Sequence, residues 1–238
     1  MKFIKKAAAL LLAFLMLLVP ATALADETNV TDTTTAESFV CYGDDLNSEQ
    51  FEKVMNLLGA DLSKDQLIKV TIDDEKALLG SIISADKIGS RSLSSARVTL
   101  TGEGTGISVT TQNINWVTSS MYSSALATAG VDNARIVVAA PVEVSGTAAL
   151  AGILKAYESA ASTQLSDEAK AVAGSEMVLT GDLADMIGSD DAVELLAMVK
   201  NAIAEYHLDD YDSLRPYVEQ GAKQLGVQLT EDQIDCSI

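Results

Sequence analysis

The chain has 238 residues, 48% of them hydrophobic and 21% charged, which excludes a disordered tail or a fibrous repeat and fits one or two globular domains. With 16 basic residues against 34 acids the net charge is −18, and so acidic a surface excludes general nucleic-acid binding, which needs basic groups to meet phosphate. A single His and a single Trp starve the commonest catalytic and metal-binding constellations, so neither a metal nor a cofactor is expected.

In chain order, Lys2, Lys5 and Lys6 precede an apolar run from Ala7 to Val19 that closes at Pro20 and Ala23-Leu24-Ala25. This is the pattern of a secretory signal peptide, with cleavage expected after Ala25. The run is too short for the roughly 20 residues that a membrane-spanning helix needs, and no later segment of spanning length follows. Cleavage would remove three lysines and no acid, leaving 213 residues, 13 basic groups against 34 acids and a net charge of −21. The expected location is therefore extracellular. Two cysteines, Cys41 and Cys236, stand at opposite ends of the exported part, and an even count in an oxidising compartment favours a disulfide between them. The rival is a pair of free thiols.

Residues 26–38 are rich in Thr and acids and read as a flexible linker. Asn47 with Gln50 is a capping signal for a helix carrying Phe51, Val54, Met55 and Leu58 up to Gly59. A short strand is predicted over Leu67–Ile72 and a short helix over Asp73–Leu79. From Ser92 the period becomes two, through Ala96, Val98 and Leu100 and again at Ile107 and Val109; the glycines at 102, 104 and 106 predict a hairpin between these strands. Asn115-Trp116-Val117 leads into a helix over Ser119–Thr128, and Ala134–Ala140 is apolar enough for a strand buried on both faces. Pro141–Thr147 then enters a helix over Ala148–Ala160.

Beyond Ser166 the pattern is helical: Val193, Leu196, Val199 and Ile203 form one face of a helix over Asp191–Tyr206, widened by Leu195, Met198 and Ala202, and Asp212 is predicted to cap a last helix that tolerates Pro216 in its first turn. Asn47-x-x-Gln50, Ser63-x-x-Gln66 and Thr230-x-x-Gln233 echo one another as shared capping chemistry. The predicted class is α/β or α+β, with a small mixed β-sheet and flanking helices over residues 39–165 and a helical C-terminal region over 166–238 packed on it.

The stretches Lys87–Ala96, Gly104–Val109, Asn113–Thr118, Thr128–Val131 and Ala139–Leu150, with Gly43-Asp44-Asp45-Leu46, resemble the YpuA-like family of secreted Gram-positive proteins, a domain of unknown function. The resemblance covers about positions 43 to 200 and is most specific at Ser145–Leu150. It implies an extracellular protein and supplies no functional residues to carry over.

Candidate chemistry is therefore taken from the residues themselves. Ser145-Gly146-Thr147 ends a buried strand and opens a helix, where free amides and the helix dipole hold an anion, or where Ser and Thr serve as plain caps. Lys87, Arg91 and Arg97 with Ser94 and Ser95 form a basic, hydroxyl-rich segment suited to a carboxylate or phosphate. Ser84-x-x-Lys87 matches one acyl-transferase motif but lacks its companion motifs. Asn115-Trp116 places the indole at a strand-to-helix junction, as core or as a stacking ledge. Asp209-Asp210-Tyr211-Asp212 reads as a capping turn, and His207 as a residue at a helix C-terminus. The function expected is non-enzymatic binding of a cell-wall or envelope component. Alternatives are an envelope hydrolase or transferase using Ser and Lys groups near Lys87 and Ser145, and cation-dependent adhesion by the acidic surface.

Overall fold

The strands β1 (Ser38–Gly43), β2 (Gln66–Val70), β3 (Ser95–Leu100), β4 (Ile107–Ile114) and β5 (Ala134–Val144) form one sheet in the order β2-β1-β3-β5-β4. Around it run α1 (Ser48–Leu58), α2 (Ile72–Leu79), α3 (Ser119–Ala129), α4 (Thr147–Ala160), α5 (Asp167–Ile187), α6 (Ser189–Tyr206), α7 (Tyr211–Leu225) and α8 (Glu231–Cys236). The structure, a computed structural model, describes residues 38–80, 88–208 and 210–237. The fold is α/β: β1 runs parallel to β2 and β4 parallel to β5, and β3 is antiparallel to both its neighbours. Among the described residues no helix is long and apolar enough to cross a membrane.

The glycine-rich stretch between β3 and β4 closes no hairpin, because β5 lies between the two strands. Its sequence explains why. Ile136 and Val138 are buried on one face, while Ala139 is buried on the other with Val137 packed beside it, so β5 gains most from an interior position. The parallel β4–β5 pair then requires a crossover, which α3 provides. On one face α4 covers β1, β2 and β3, setting Leu150, Ile153 and Leu154 against Phe39, Cys41, Ala96 and Val98. On the other, α1 sets Val54, Met55 and Leu58 against Val40 and Ala139.

Local chemistry fixes most helix ends. Asn47 with Gln50, Thr71 with Asp74 and Thr230 with Gln233 form reciprocal capping boxes. The echo at Ser63 and Gln66 does something else: Ser63 Oγ donates to Asp61 Oδ1, and Gln66 begins β2 opposite Phe39. The Leu67–Val70 run that follows pairs with β1, and that tertiary pairing overrides the capping pattern.

Cys41 carries a free thiol, so the expected bridge to Cys236 is not formed. Its side chain points from the middle of β1 into the core under α4, where Sγ donates to the Ala96 carbonyl at 3.3 Å and a Cβ on Gly152 would lie 2.6 Å from the sulfur. Burial pushes this thiol up to about 12, which makes it inert.

Helix α5 belongs to two cores. Its Ala173, Met177 and Val178 join the sheet core, and its Leu183 joins a second cluster with Leu195, Val199, Leu214, Val218 and Ile234 from α6, α7 and α8. The buried stripe of α6 runs through Ala192, Leu195, Leu196, Val199 and Ala202; Ile203, expected on the buried face, lies one position off this stripe and is 38% exposed. Helix α7 is capped by Asp210, not Asp212, so Pro216 sits beyond its first turn. His207 is the left-handed C-terminal residue of α6 and is exposed.

Candidate functional site

The carboxyl ends of β1, β2, β4 and β5 lie at one end of the sheet, together with the start of the antiparallel β3. Helices that follow parallel strands begin there, so their N-terminal amides face the same space, the usual place for a ligand in an open α/β sheet. A cleft of about 410 Å³ occupies that end. It is lined by Glu75 of α2, by Arg91, Leu93 and Ser94 before β3, by Trp116 after β4, and by Ser145, Gly146 and Thr147 between β5 and α4.

Each wall has a local cause. The segment before β3 is clamped to the end of β1: Ser92 N–H donates to Asp45 Oδ2 at 2.7 Å, and Gly43 lies so close that a Cβ on it would be 2.1 Å from the Ser92 carbonyl oxygen. Trp116 is brought in because the β4–β5 ladder continues past the strand ends, with Asn115 N–H on Val144 O and Val117 N–H on Ser145 O, both at 3.0 Å. One edge of its half-buried indole lies on Gly181 of α5, where a Cβ would be 2.3 Å from the ring, and Nε1 donates to Asp185 Oδ2 at 3.4 Å. Gly146 is required by its φ of +98° and by the Tyr122 hydroxyl, which donates to the Gly146 carbonyl at 2.5 Å.

Neither Ser145 nor Thr147 caps α4. Gly146 is the N-cap and has no side chain to accept; the Ala149 amide is shared between Ser94 Oγ at 3.0 Å and the Gly146 carbonyl at 3.1 Å. Among the described residues the Thr147 and Ala148 amides form no hydrogen bond, which leaves the positive end of a 14-residue helix open towards the cleft. The Thr147 hydroxyl donates to Glu75 Oε1 at 2.5 Å and lies 3.1 Å from Ser145 Oγ. Glu75 is 1% exposed, and its second oxygen, Oε2, has no hydrogen-bond partner among the described residues. Burial raises its carboxyl from 4.5 to about 7, against the lowering effect of the Thr147 hydrogen bond.

Arg91, Ser94, Trp116, Ser145, Gly146 and Thr147 therefore converge on one cleft. Ser95 does not: it is buried and its Oγ accepts from the Gly43 amide at 3.2 Å, pinning β3 to β1. Asn115 is exposed and does not line the cleft. Arg97 lies on the α1 side of the sheet, its Nε 2.8 Å from Asp65 Oδ2. Lys87 and the Ser84-x-x-Lys87 motif lie outside the described residues, as do the leader and the linker up to residue 37. Glu75 went unmarked in the sequence, although Ile72, Glu75 and Leu79 share one helical stripe and a charge on a core-facing stripe is a signal in itself.

The comparisons agree with the sequence resemblance. The family model described as "Protein of unknown function (DUF1002)" matches residues 42–237. The "Uncharacterized protein YpuA" of Bacillus subtilis (strain 168) is 38% identical over 222 residues, spanning 93% of this chain and 74% of that protein. No solved structure matches. Three of the stretches that carry the resemblance contribute residues to the cleft wall, among them Arg91 and Ser94, Trp116, and Ser145 to Thr147. The chain belongs to the DUF1002 family, with the YpuA protein as a relative.

Proposed function

We propose that the protein is an exported binding domain that holds a small polar component of the cell envelope in the cleft at the N-terminus of α4. The observation that carries this reading is the meeting of four separate chain segments in one cleft that holds two open amides and a buried carboxylate oxygen without a partner among the described residues. Native proteins satisfy nearly all buried polar groups, and the exceptions collect at sites where a ligand completes the set. The cleft has the volume of a small-molecule site, with apolar Ile88, Leu93 and Val144 among its polar groups. Export is supported by the leader pattern at residues 1–25, and protein recovered outside the membrane should begin at Asp26 on N-terminal sequencing.

The binding test uses the chain from Asp26 onward and a solubilised cell-wall digest, read by the emission of Trp116, the only tryptophan. Binding should shift that emission, and Ser90→Phe, a substitution at an exposed residue of the cleft wall, should abolish the shift without altering the melting temperature. Fragments that bind without moving Trp116, or that bind Ser90→Phe equally well, overturn the reading.

A second reading, an envelope hydrolase or transferase, is favoured by one feature: Ser145, Thr147 and Glu75 form a hydroxyl-to-carboxyl chain with a carboxyl raised to about 7. Release of new fragments from the digest, lost in Ser145→Ala, would replace binding by catalysis.

A further inference from the structure

Four features of the cleft are complementary in sign. Glu75 lines the cleft, and its buried Oε2 has no donor among the described residues. One residue on from the Thr147 side chain that touches Glu75, the α4 backbone presents the Thr147 and Ala148 amides. Arg91 is exposed at the rim and has no ion-pair partner among the described residues. Trp116 with Leu93 and Val144 supplies apolar surface between them.

A simple anion would meet the amides and Arg91 but would face the Glu75 carboxylate. A simple cation would pair with Glu75 but would sit against the positive end of α4. A ligand carrying both signs a few ångströms apart satisfies every group at once. We infer that the cleft receives a small zwitterion, the ammonium and carboxylate of an α-amino acid or short peptide, with its ammonium on Glu75 and its carboxylate on the α4 amides and Arg91. This rests on the binding reading above and names the ligand class of that same cleft. Oε2 is covered, but the terminal torsion of a glutamate is soft, so an incoming donor turns the carboxyl without moving α2.

The test compares four probes by calorimetry and by Trp116 emission, above the pH of about 7 at which Glu75 ionises. Alanine and alanylalanine carry both charges, N-acetylalanine lacks the cation, and alaninamide lacks the anion. At least one zwitterion should bind, with each one-charge analogue weaker by about tenfold or more. Glu75→Gln should weaken the zwitterion by a similar factor while leaving N-acetylalanine unchanged or improved. Arg91→Ala, at an exposed position that does not threaten folding, should weaken the zwitterion and N-acetylalanine together.

Equal binding of a zwitterion and either analogue overturns the inference and leaves cleft binding standing. Silence from all four probes at roughly 10 mM overturns it as well, and the wall-digest experiment then judges the binding reading separately.

Discussion

Two clusters in this molecule are built from nearly the same side chains and do opposite things. At the junction of α3, α5 and α6, Glu176 accepts from the Ser124 hydroxyl at 2.5 Å, from the Thr128 hydroxyl, and from Lys200 Nζ at 2.8 and 2.9 Å. Lys200 also donates to Thr128 Oγ1 at 2.7 Å. In the cleft, Glu75 has a Thr, a nearby Ser and an Arg at the rim, yet accepts one hydrogen bond and keeps an unpartnered oxygen. A carboxylate, two hydroxyls and a cation are a fastener when every group is used, and an incomplete receptor when one is withheld. The difference lies in backbone placement, since Lys200 reaches its carboxylate across packed helices while Arg91 stands on a loop held off by Gly43 and Asp45.

Removing the two carboxylates should have opposite effects. Glu176→Ala strands Ser124, Thr128 and Lys200 and should destabilise the fold by about 2–3 kcal/mol, read as a lower denaturation midpoint at unchanged m. Glu75→Gln should do the reverse. The folded state holds the Glu75 proton up to about pH 7 whereas the unfolded chain releases it near 4.5, so between those values the folded state binds more protons and stability falls as pH rises. Below 4.5 the contribution is intact; above about 7 it is fully lost. Glu75→Gln should therefore flatten that slope and stabilise the protein at pH 8 by about 2 kcal/mol. A Glu75→Gln variant less stable than the parent at pH 8 would make Glu75 a fastener like Glu176 and remove the contrast.

How far the sequence foretells these clusters depends on the range of the contacts. Helix caps at Asn47, Thr118 and Thr230 are decided within four residues and are legible, as is the β5 run buried on both faces. Strand order was not legible: Gly102–Gly106 has local hairpin chemistry, and only the burial demand of β5, thirty residues on, separates β3 from β4. The cleft was half legible. Arg91, Ser94, Trp116 and Ser145–Thr147 stood out as chemically unusual in an acidic chain, but nothing local says that Ser94 caps a helix 55 residues away. Glu75 and Glu176 were hidden among the acids, since a sequence shows a carboxylate's helical stripe but not whether its partners arrive.

A smaller effect sharpens the contrast at the α4 N-terminus. Ser94→Ala removes one of the two acceptors of the Ala149 amide, which also donates to the Gly146 carbonyl at 3.1 Å, and should cost about 0.5 kcal/mol, or a fall of roughly 1–2 °C in melting temperature. A cost near zero would mean that the Gly146 carbonyl alone satisfies the Ala149 amide.

The smallest stability effect separates fastener from receptor most cleanly, because it compares the two cations. Lys200→Ala leaves the Glu176 carboxylate, 9% exposed, without its counter-charge and should cost about 1–2 kcal/mol, discounted because the Lys200 side chain is itself 41% exposed. Arg91→Ala removes an exposed cation with no ion pair among the described residues, and surface changes of that kind fall within about 0.5 kcal/mol. Paired thermal melts of the two variants measure the difference directly. If Arg91→Ala lowers stability as much as Lys200→Ala does, Arg91 is held by the fold; if it leaves melting unchanged and weakens ligand binding, its charge is reserved for something outside the chain.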